Sequence, residues 1–390
     1  MSHSLPAVLA AGALAALSSL VPLTGASAEP VTGHVVEVRD PIPGRYIVVL
    51  KDGTTMTRPS DLAARYGGRV RHAYTSALKG YAAEMTAAEA GRLAADPRVA
   101  FVEQDSEVAA SGTQPDPPSW GLDRVDQRDL PLDHSYGYPS TAPTVTAYIL
   151  DTGIRTSHRQ FGGRASVGAD EVGDGRDGQD CAGHGTHVSG TVGGTDYGVA
   201  KQVKLVAVRV LDCSGHGSAS TVIAGVDWIT AHAVKPAVVN MSLNGTASNS
   251  EDAAINKSIS SGVTYVVSSG NGNTDACKNS PGRISAAIVV DNADSRDRRA
   301  SDSNYGSCTD LFAPGVGITS AWNSGDTATK TIGGTSMAAP HVTGAAALYL
   351  AGHPGATPAE VQNALTAAAT TGKITNAGSG SPNRLLFVSP

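Results

Sequence analysis

Charge is scarce in this chain: Asp, Glu, Lys and Arg make up 16% of its 390 residues, and the two signs are interspersed, giving a formal net charge of -6. Without a basic stripe there is no electrostatic footprint for nucleic acid, and without a polybasic cluster there is no patch for an anionic membrane. Nucleic acid and lipid are therefore not expected partners. Low-complexity tracts and short internal repeats are missing too, which removes repeat architectures from consideration. What is present is 41% hydrophobic residues, enough for a sizeable packed interior, in a chain too long for one ordinary core. A leader, one small domain and one large domain is the division this length suggests.

The N-terminus lacks Lys and Arg before Leu5 and has only His3, ahead of an apolar, Ala-rich stretch from Leu5 to Leu23. Ala and Ser make that stretch weakly hydrophobic for a permanent span, and Ala26-Ser27-Ala28 has the small-x-small form that signal peptidase cuts. Residues 1–28 are read as a signal peptide cleaved after Ala28, and the mature protein as secreted, extracellular and free of the membrane. Export puts the four cysteines in an oxidising compartment, where they can pair fully in three ways. Cys181 with Cys213 and Cys277 with Cys308 is the sequence-local pairing. A zinc site from Cys181, His184, His187 and Cys213 is the alternative, but Cys-x-x-His-x-x-His crowds three ligands onto about two turns of one element.

After the leader, Arg45–Leu50 and Gly80–Met85 read as strands and Asp61–Tyr66 as a short helix. Thr86 and Glu89 form a capping box for a helix ending near Ala95, and Asp96-Pro97 stops it before the strand Val99–Glu103. This small split βαβ pattern predicts an α+β unit of ferredoxin-like type over 29–110. From Ala109 to Ser119 the composition turns to Ser, Gly, Gln and Pro, so this stretch is read as an exposed boundary. Beyond Trp120, apolar runs at Val145–Leu150, Leu205–Val210, Ala237–Met241, Val263–Val267 and Ala287–Val290 have the character of buried parallel strands. Helical patterns at Ser218–His232, Asp252–Ser261, Ser336–Leu350 and Pro358–Ala369 lie among them, the last behind a Thr357–Glu360 capping box. An α/β domain with a mostly parallel sheet over 111–390 follows.

Three short signatures carry chemistry. Asp151-Thr152-Gly153 follows a strand, His184-Gly185-Thr186-His187-Val188 opens a helix, and Gly334-Thr335-Ser336-Met337-Ala338-Ala339-Pro340-His341 opens another. Each alone has an ordinary reading: a turn aspartate, a structural histidine, an N-cap serine. Together they supply a weak nucleophile, the imidazole that takes its proton and the carboxylate that orients that imidazole. Ser336, His184 and Asp151 are the expected triad. Asn271 in Ser268-Ser269-Gly270-Asn271 is the candidate oxyanion donor, with the backbone N–H of Ser336 at a helix N-terminus as the second. A turn residue is the alternative for Asn271, because Asn-Gly is a common turn pair.

The order Asp, His, Ser and the stretch from Trp120 to Leu386 resemble the subtilisin-like serine proteases. The likeness is to their proteinase K-like branch, especially aqualysin-type bacterial enzymes, through Trp120-Gly121-Leu122-Asp123-Arg124, Val208-Arg209-Val210-Leu211-Asp212, Ser303-Asn304-Tyr305-Gly306 and Ser381-Pro382-Asn383-Arg384-Leu385-Leu386. The resemblance implies a doubly wound, mostly parallel sheet and broad serine endopeptidase activity on polypeptides by a monomer. It also implies that Gly215-His216-Gly217 and Ser242-Leu243-Asn244-Gly245 are edge segments gripping an extended substrate. Residues 29–110 resemble the family's I9-type inhibitory propeptide, which implies an intramolecular inhibitor and chaperone removed by self-cleavage between Ala109 and Thr113. Disulfides Cys181–Cys213 and Cys277–Cys308 are implied, as is structural calcium at Asp123, Asp126, Gln127, Asp133 and Ser135 and at Asp310. No organic cofactor is expected.

Three positions depart from the family pattern. Asn244 stands where Gly is usual, which narrows the expected access for substrate. Asp291-Asn292 replace Gly-Ala after a core strand, and Asp302 replaces Phe. These acidic groups predict lower stability, metal affinity or plain solvation. A serine esterase is the rival enzyme, but the segment around Ser336 lacks the second glycine of a nucleophile elbow and the triad order differs. An inactive binding module would have lost a triad residue, and none is missing.

Overall fold

The computed structural model describes residues 34–38, 41–54, 59–106 and 112–389. The expected signal peptide lies outside the described residues, as do residues 109–111 of the expected self-cleavage segment. The chain forms two compact units that divide between Glu107 and Val108.

In the first unit, helices α1 (Pro59–Arg65) and α2 (Ala87–Ala94) accompany a sheet of five strands. Its order is Val35–Val36, Val99–Ser106, Pro41–Leu50, Gly80–Glu84 and Arg69–Tyr74, antiparallel except for the first pair. The Thr86–Glu89 capping box forms as the sequence predicts, satisfying N–H groups that the first helical turn leaves without partners. Leu93 and Ala90 of that helix pack on Val48, Tyr81 and Val102, so the unit has its own core.

The second unit is built on nine strands, in the order Thr370–Thr371, Arg384–Leu385, Leu311–Pro314, Ile288–Ala293, Thr264–Ser268, Ala237–Met241, Thr146–Asp151, Lys204–Arg209 and Ala165–Asp170. All neighbours are parallel except the first two strands. Parallel strands need covered faces, and the period-2 alternation supplies two. Ala147 and Ile149 face a core shared with helices α4 (His184–Gly193) and α7 (Thr335–Gly352), while Tyr148 and Leu150 face a second core shared with α5 (Ala219–His232) and α6 (Asn249–Ser260). Two more helices complete the unit, α3 (Trp120–Val125) and α8 (Pro358–Ala368).

The sheet is larger than the five runs legible in the sequence. Ala165–Asp170 is a partly exposed edge strand without a β-branched run, and the Leu311–Pro314, Arg384–Leu385 and Thr370–Thr371 strands are too short to signal themselves. Helix α6 starts at Asn249 rather than Asp252 because Ser248 caps it, its hydroxyl accepting from the Glu251 N–H. The strand from Ile288 continues through Asp291 and Asn292 to Ala293, which buries these two of the four departing residues.

Candidate active site

Asp151 is the last residue of its strand, at the carboxyl end of the sheet where such folds collect their functional groups. Its side chain is fully buried and accepts from the Thr152 N–H at 2.7 Å. The ring of His184, the first residue of α4, places Nδ1 2.7 and 2.9 Å from the two Asp151 oxygens. Burial pulls the imidazole down, but the charge of Asp151 and its hydrogen bond outweigh this and hold it above its ordinary value. Gly185 lets these two segments meet, because a Cβ there would stand 2.1 Å from the Gly153 carbonyl oxygen.

A residue not singled out in the sequence organises this corner. Asp180 accepts from the Ala182, Gly183 and Thr186 N–H groups and from the hydroxyls of Thr152 and Thr186, at 2.6 to 2.9 Å. It acts as a remote cap for α4 and ties that helix to the Asp151 segment. Its only sequence signal is an aspartate shortly before a helix start.

Ser336 is the second residue of α7, after Gly334 at φ 138°, a conformation that a side chain would strain. Pro340 sits four residues on and has no N–H to return to the Ser336 carbonyl. That carbonyl instead accepts from the Ser242 hydroxyl at 2.8 Å, which ties the serine to an edge segment of the cleft. The Ser336 hydroxyl donates to the Ser242 carbonyl at 3.1 Å rather than to His184. A serine using this imidazole as its base would first have to rotate toward it.

Asn271 lies in the turn three residues beyond the strand ending at Ser268. Its Oδ1 accepts from both the N–H and the hydroxyl of Thr335 at 2.8 Å, which leaves Nδ2 free as a donor beside Gly334. Asn271, Ser336 and His184 line one cleft of about 960 Å³ with Gly215, His216, Gly217, Ser242, Leu243, Asn244 and Gly245. Asn244 folds over Gly270, its amide 3.4 Å from the Ser269 carbonyl.

Both expected disulfides are present, Cys181–Cys213 and Cys277–Cys308, with Cα separations of 4.9 and 5.4 Å. The zinc alternative fails with them, since His184 is engaged by Asp151 and His187 Nε2 lies 3.1 Å from the carbonyls of Ile318 and Lys330.

The candidate calcium residues offer hard oxygen donors. Asp126 Oδ1 is buried without a hydrogen bond, an open acceptor of the kind a cation would fill. Asp123 accepts from the Asp133 and His134 N–H groups, and Gln127 Oε1 from that of Asp133. Asp133 accepts from the Ser135 N–H at 3.0 Å. The Asp123, Asp126 and Asp133 carboxylates do not all come within 4.8 Å of one another, so the loop would have to tighten around an ion. At Asp310 the oxygens converge. Its Oδ1 and the carbonyls of Ser285 and Ala287 surround Nε2 of Gln362, at 3.1, 3.3 and 3.2 Å respectively. The donor set suits calcium, but the Gln362 amide must withdraw to admit it.

Asp302 is exposed and solvated, whereas Asp291 is fully buried with Oδ1 unpartnered. Burial pushes its carboxyl up to about 7, against nearby hydroxyls of Ser269, Thr309 and Ser381. A raised native value means that the native state keeps a proton the unfolded chain has released. The associated stability is fully present below about 4 and is lost as pH rises toward about 7, at about 1.4 kcal/mol per pH unit. Denaturant unfolding at pH 4, 5.5 and 7 is expected to show the wild type losing a few kcal/mol relative to Asp291→Asn. Parallel pH curves for the two proteins would refute this.

An aspartate-held imidazole, a serine at a helix start and an amide donor thus share one cleft at the carboxyl edge of a doubly wound sheet. Comparisons with known proteins give the class, a serine endopeptidase of subtilisin-like fold. The Subtilase family model matches residues 143–385 and the Peptidase inhibitor I9 model matches residues 45–111. The chain belongs to the subtilase family. It is 52% identical to the "Extracellular serine proteinase" of Thermus sp. (strain Rt41A) over 96% of both chains. It is 44% identical to the "Alkaline serine exoprotease A" of Vibrio alginolyticus over 89% of this chain and 67% of that one. A crystal structure of a cold adapted subtilisin-like serine proteinase matches with a TM-score of 0.68 and 50% identity, covering 70% of this chain and 98% of the other. Among the described residues no helix is long and apolar enough to cross a membrane.

Proposed function

We propose that this chain is an exported endopeptidase of broad specificity that cleaves polypeptides through Asp151, His184, Ser336 and an acyl-enzyme. The observation that carries the reading is the His184 ring, held at 2.7 Å by a buried carboxylate in the same cleft as Ser336. With Nδ1 engaged, Nε2 is the free base that removes the Ser336 proton as the hydroxyl attacks a peptide carbonyl. The oxyanion then meets Asn271 Nδ2 and the Ser336 N–H, the second aided by the α7 dipole. His184 returns the proton to the departing amine, and water repeats the sequence to release the acid. Digestion of casein is the test. Internal cleavage products are expected, and an activity confined to small esters would favour the esterase reading instead.

Residues 1–28 are the proposed signal peptide, 29–110 the inhibitory and chaperoning propeptide, and 111–390 the catalytic domain, acting outside the cell as a monomer. The I9 match supports the inhibitor role. Gly112–Pro115 pairs with Ser135–Tyr138 in the second unit, so self-cleavage that leaves this pairing intact falls before Gly112. Ser336→Ala, purified away from wild type, is expected to accumulate as an uncut precursor beginning near Glu29. Wild type is expected to begin between Ala110 and Gly112 by N-terminal sequencing. An active wild type that still begins near Glu29 would overturn the maturation scheme.

Calcium is proposed as a structural ion at Asp123, Asp126, Gln127, Asp133 and Ser135 and at Asp310. It would supply positive charge to the unpartnered Asp126 Oδ1 and to the oxygens that surround the Gln362 amide, and it takes no part in the chemistry. An ion bound only by the native state stabilises it by mass action, about 2.7 kcal/mol at a hundredfold excess over Kd. Excess chelator is therefore expected to lower the melting temperature by several degrees and to hasten self-digestion. An unchanged melting temperature would remove calcium from the account.

A further inference from the structure

The cleft contains one Asp, Glu, Lys or Arg among its lining residues, Glu251. It is the third residue of α6, where the helix N-terminus favours a negative charge. A first-turn glutamate ordinarily faces water. This one is 5% exposed, and its Oε1 is buried without a hydrogen bond. The same cleft is lined by the apolar Ala219 and Val222 of α5, the helix that packs against α6, and by Leu243. Arg283 does not neutralise it, being paired with Asp252 at 2.5 Å and with the Asn249 side chain at 2.7 Å. A carboxylate without a partner in such surroundings is strongly disfavoured unless a cation joins it. Burial and the charge of Asp252 push its carboxyl up to about 7, with Arg283 pulling the other way.

We propose that Glu251 is a specificity determinant: it forms the floor of a side-chain pocket at the α5–α6 end of the cleft that takes a Lys or Arg side chain of the bound polypeptide. The apolar walls suit the long stem of such a side chain, and the carboxylate suits its charged end. Ser336 is tied to Ser242, whereas Ala219, Val222 and Glu251 belong to α5 and α6, so the pocket is distinct from the reacting groups. The proposal rests on the endopeptidase reading and adds a charge preference to it.

The test is a cleavage-site profile of a mixed peptide library, read by mass spectrometry, for mature wild type, Glu251→Gln and Glu251→Leu. Wild type is expected to enrich Lys and Arg at one position relative to the cleaved bond. In both variants the kcat/KM ratio of basic to neutral residues there should fall about tenfold or more, and Glu251→Leu should shift the preference to aliphatic residues. No basic enrichment in wild type, or the same profile in all three proteins, would overturn the proposal. Melting temperatures separate a purely structural role, in which stability changes and the profile does not. Failure of wild type to cleave any peptide would instead count against the endopeptidase reading.

Discussion

Ser336→Ala is expected to lower turnover about a millionfold, and His184→Ala by a similar factor, because nucleophile and base act as one unit in the Asp-His-Ser arrangement. The double variant should be scarcely worse than either single one. Asp151→Asn is expected to cost about ten-thousandfold, since a neutral amide neither fixes the working tautomer nor stabilises the imidazolium. Its pH profile gives a second reading. In wild type His184 is held above its ordinary value by Asp151, so activity is lost as pH falls through that raised value. Without the carboxylate charge, the acid limb should move to lower pH. Additive losses in the double variant, or an acid limb that stays in place, would contradict the proposed coupling.

Asn271→Ala is expected to reduce kcat about a hundred- to a thousandfold with little change in KM, because in the proposed mechanism its amide meets charge that develops only in the transition state. The geometry suggests a companion variant. Thr335 donates twice to Asn271 Oδ1 and so aims Nδ2. Thr335→Val keeps the backbone donor and removes the hydroxyl, and should cost less than Asn271→Ala while acting on the same parameter. Turnover within about twofold of wild type for Asn271→Ala would show that the oxyanion is stabilised elsewhere.

The central strands were legible in the sequence because a parallel strand buried on both faces must be almost wholly apolar, as Thr146–Asp151 and Ala237–Met241 are. Edge strands escape that constraint, and Ala165–Asp170 left no comparable mark. Asp151, His184 and Ser336 stood out because chemistry of this type needs those side chains beside small residues that permit close backbone approach. Asp180 did not, since its work is to satisfy N–H groups of a loop and a helix start, nor did the orienting role of Thr335, which donates to an amide oxygen 64 residues away. Nor did Glu251, whose burial depends on α6 beginning at Asn249. Asp291 was visible as a departure from the family pattern, but only the continuation of its strand to Ala293 shows it buried rather than solvated.

The most direct measurement is the site of covalent labelling in the mature enzyme. A serine-directed phosphonyl reagent is expected to abolish casein hydrolysis at one adduct per molecule, and peptide mapping by mass spectrometry should place that adduct on Ser336 alone. Full loss of activity with the adduct on another residue, or full activity with Ser336 modified, would contradict the account.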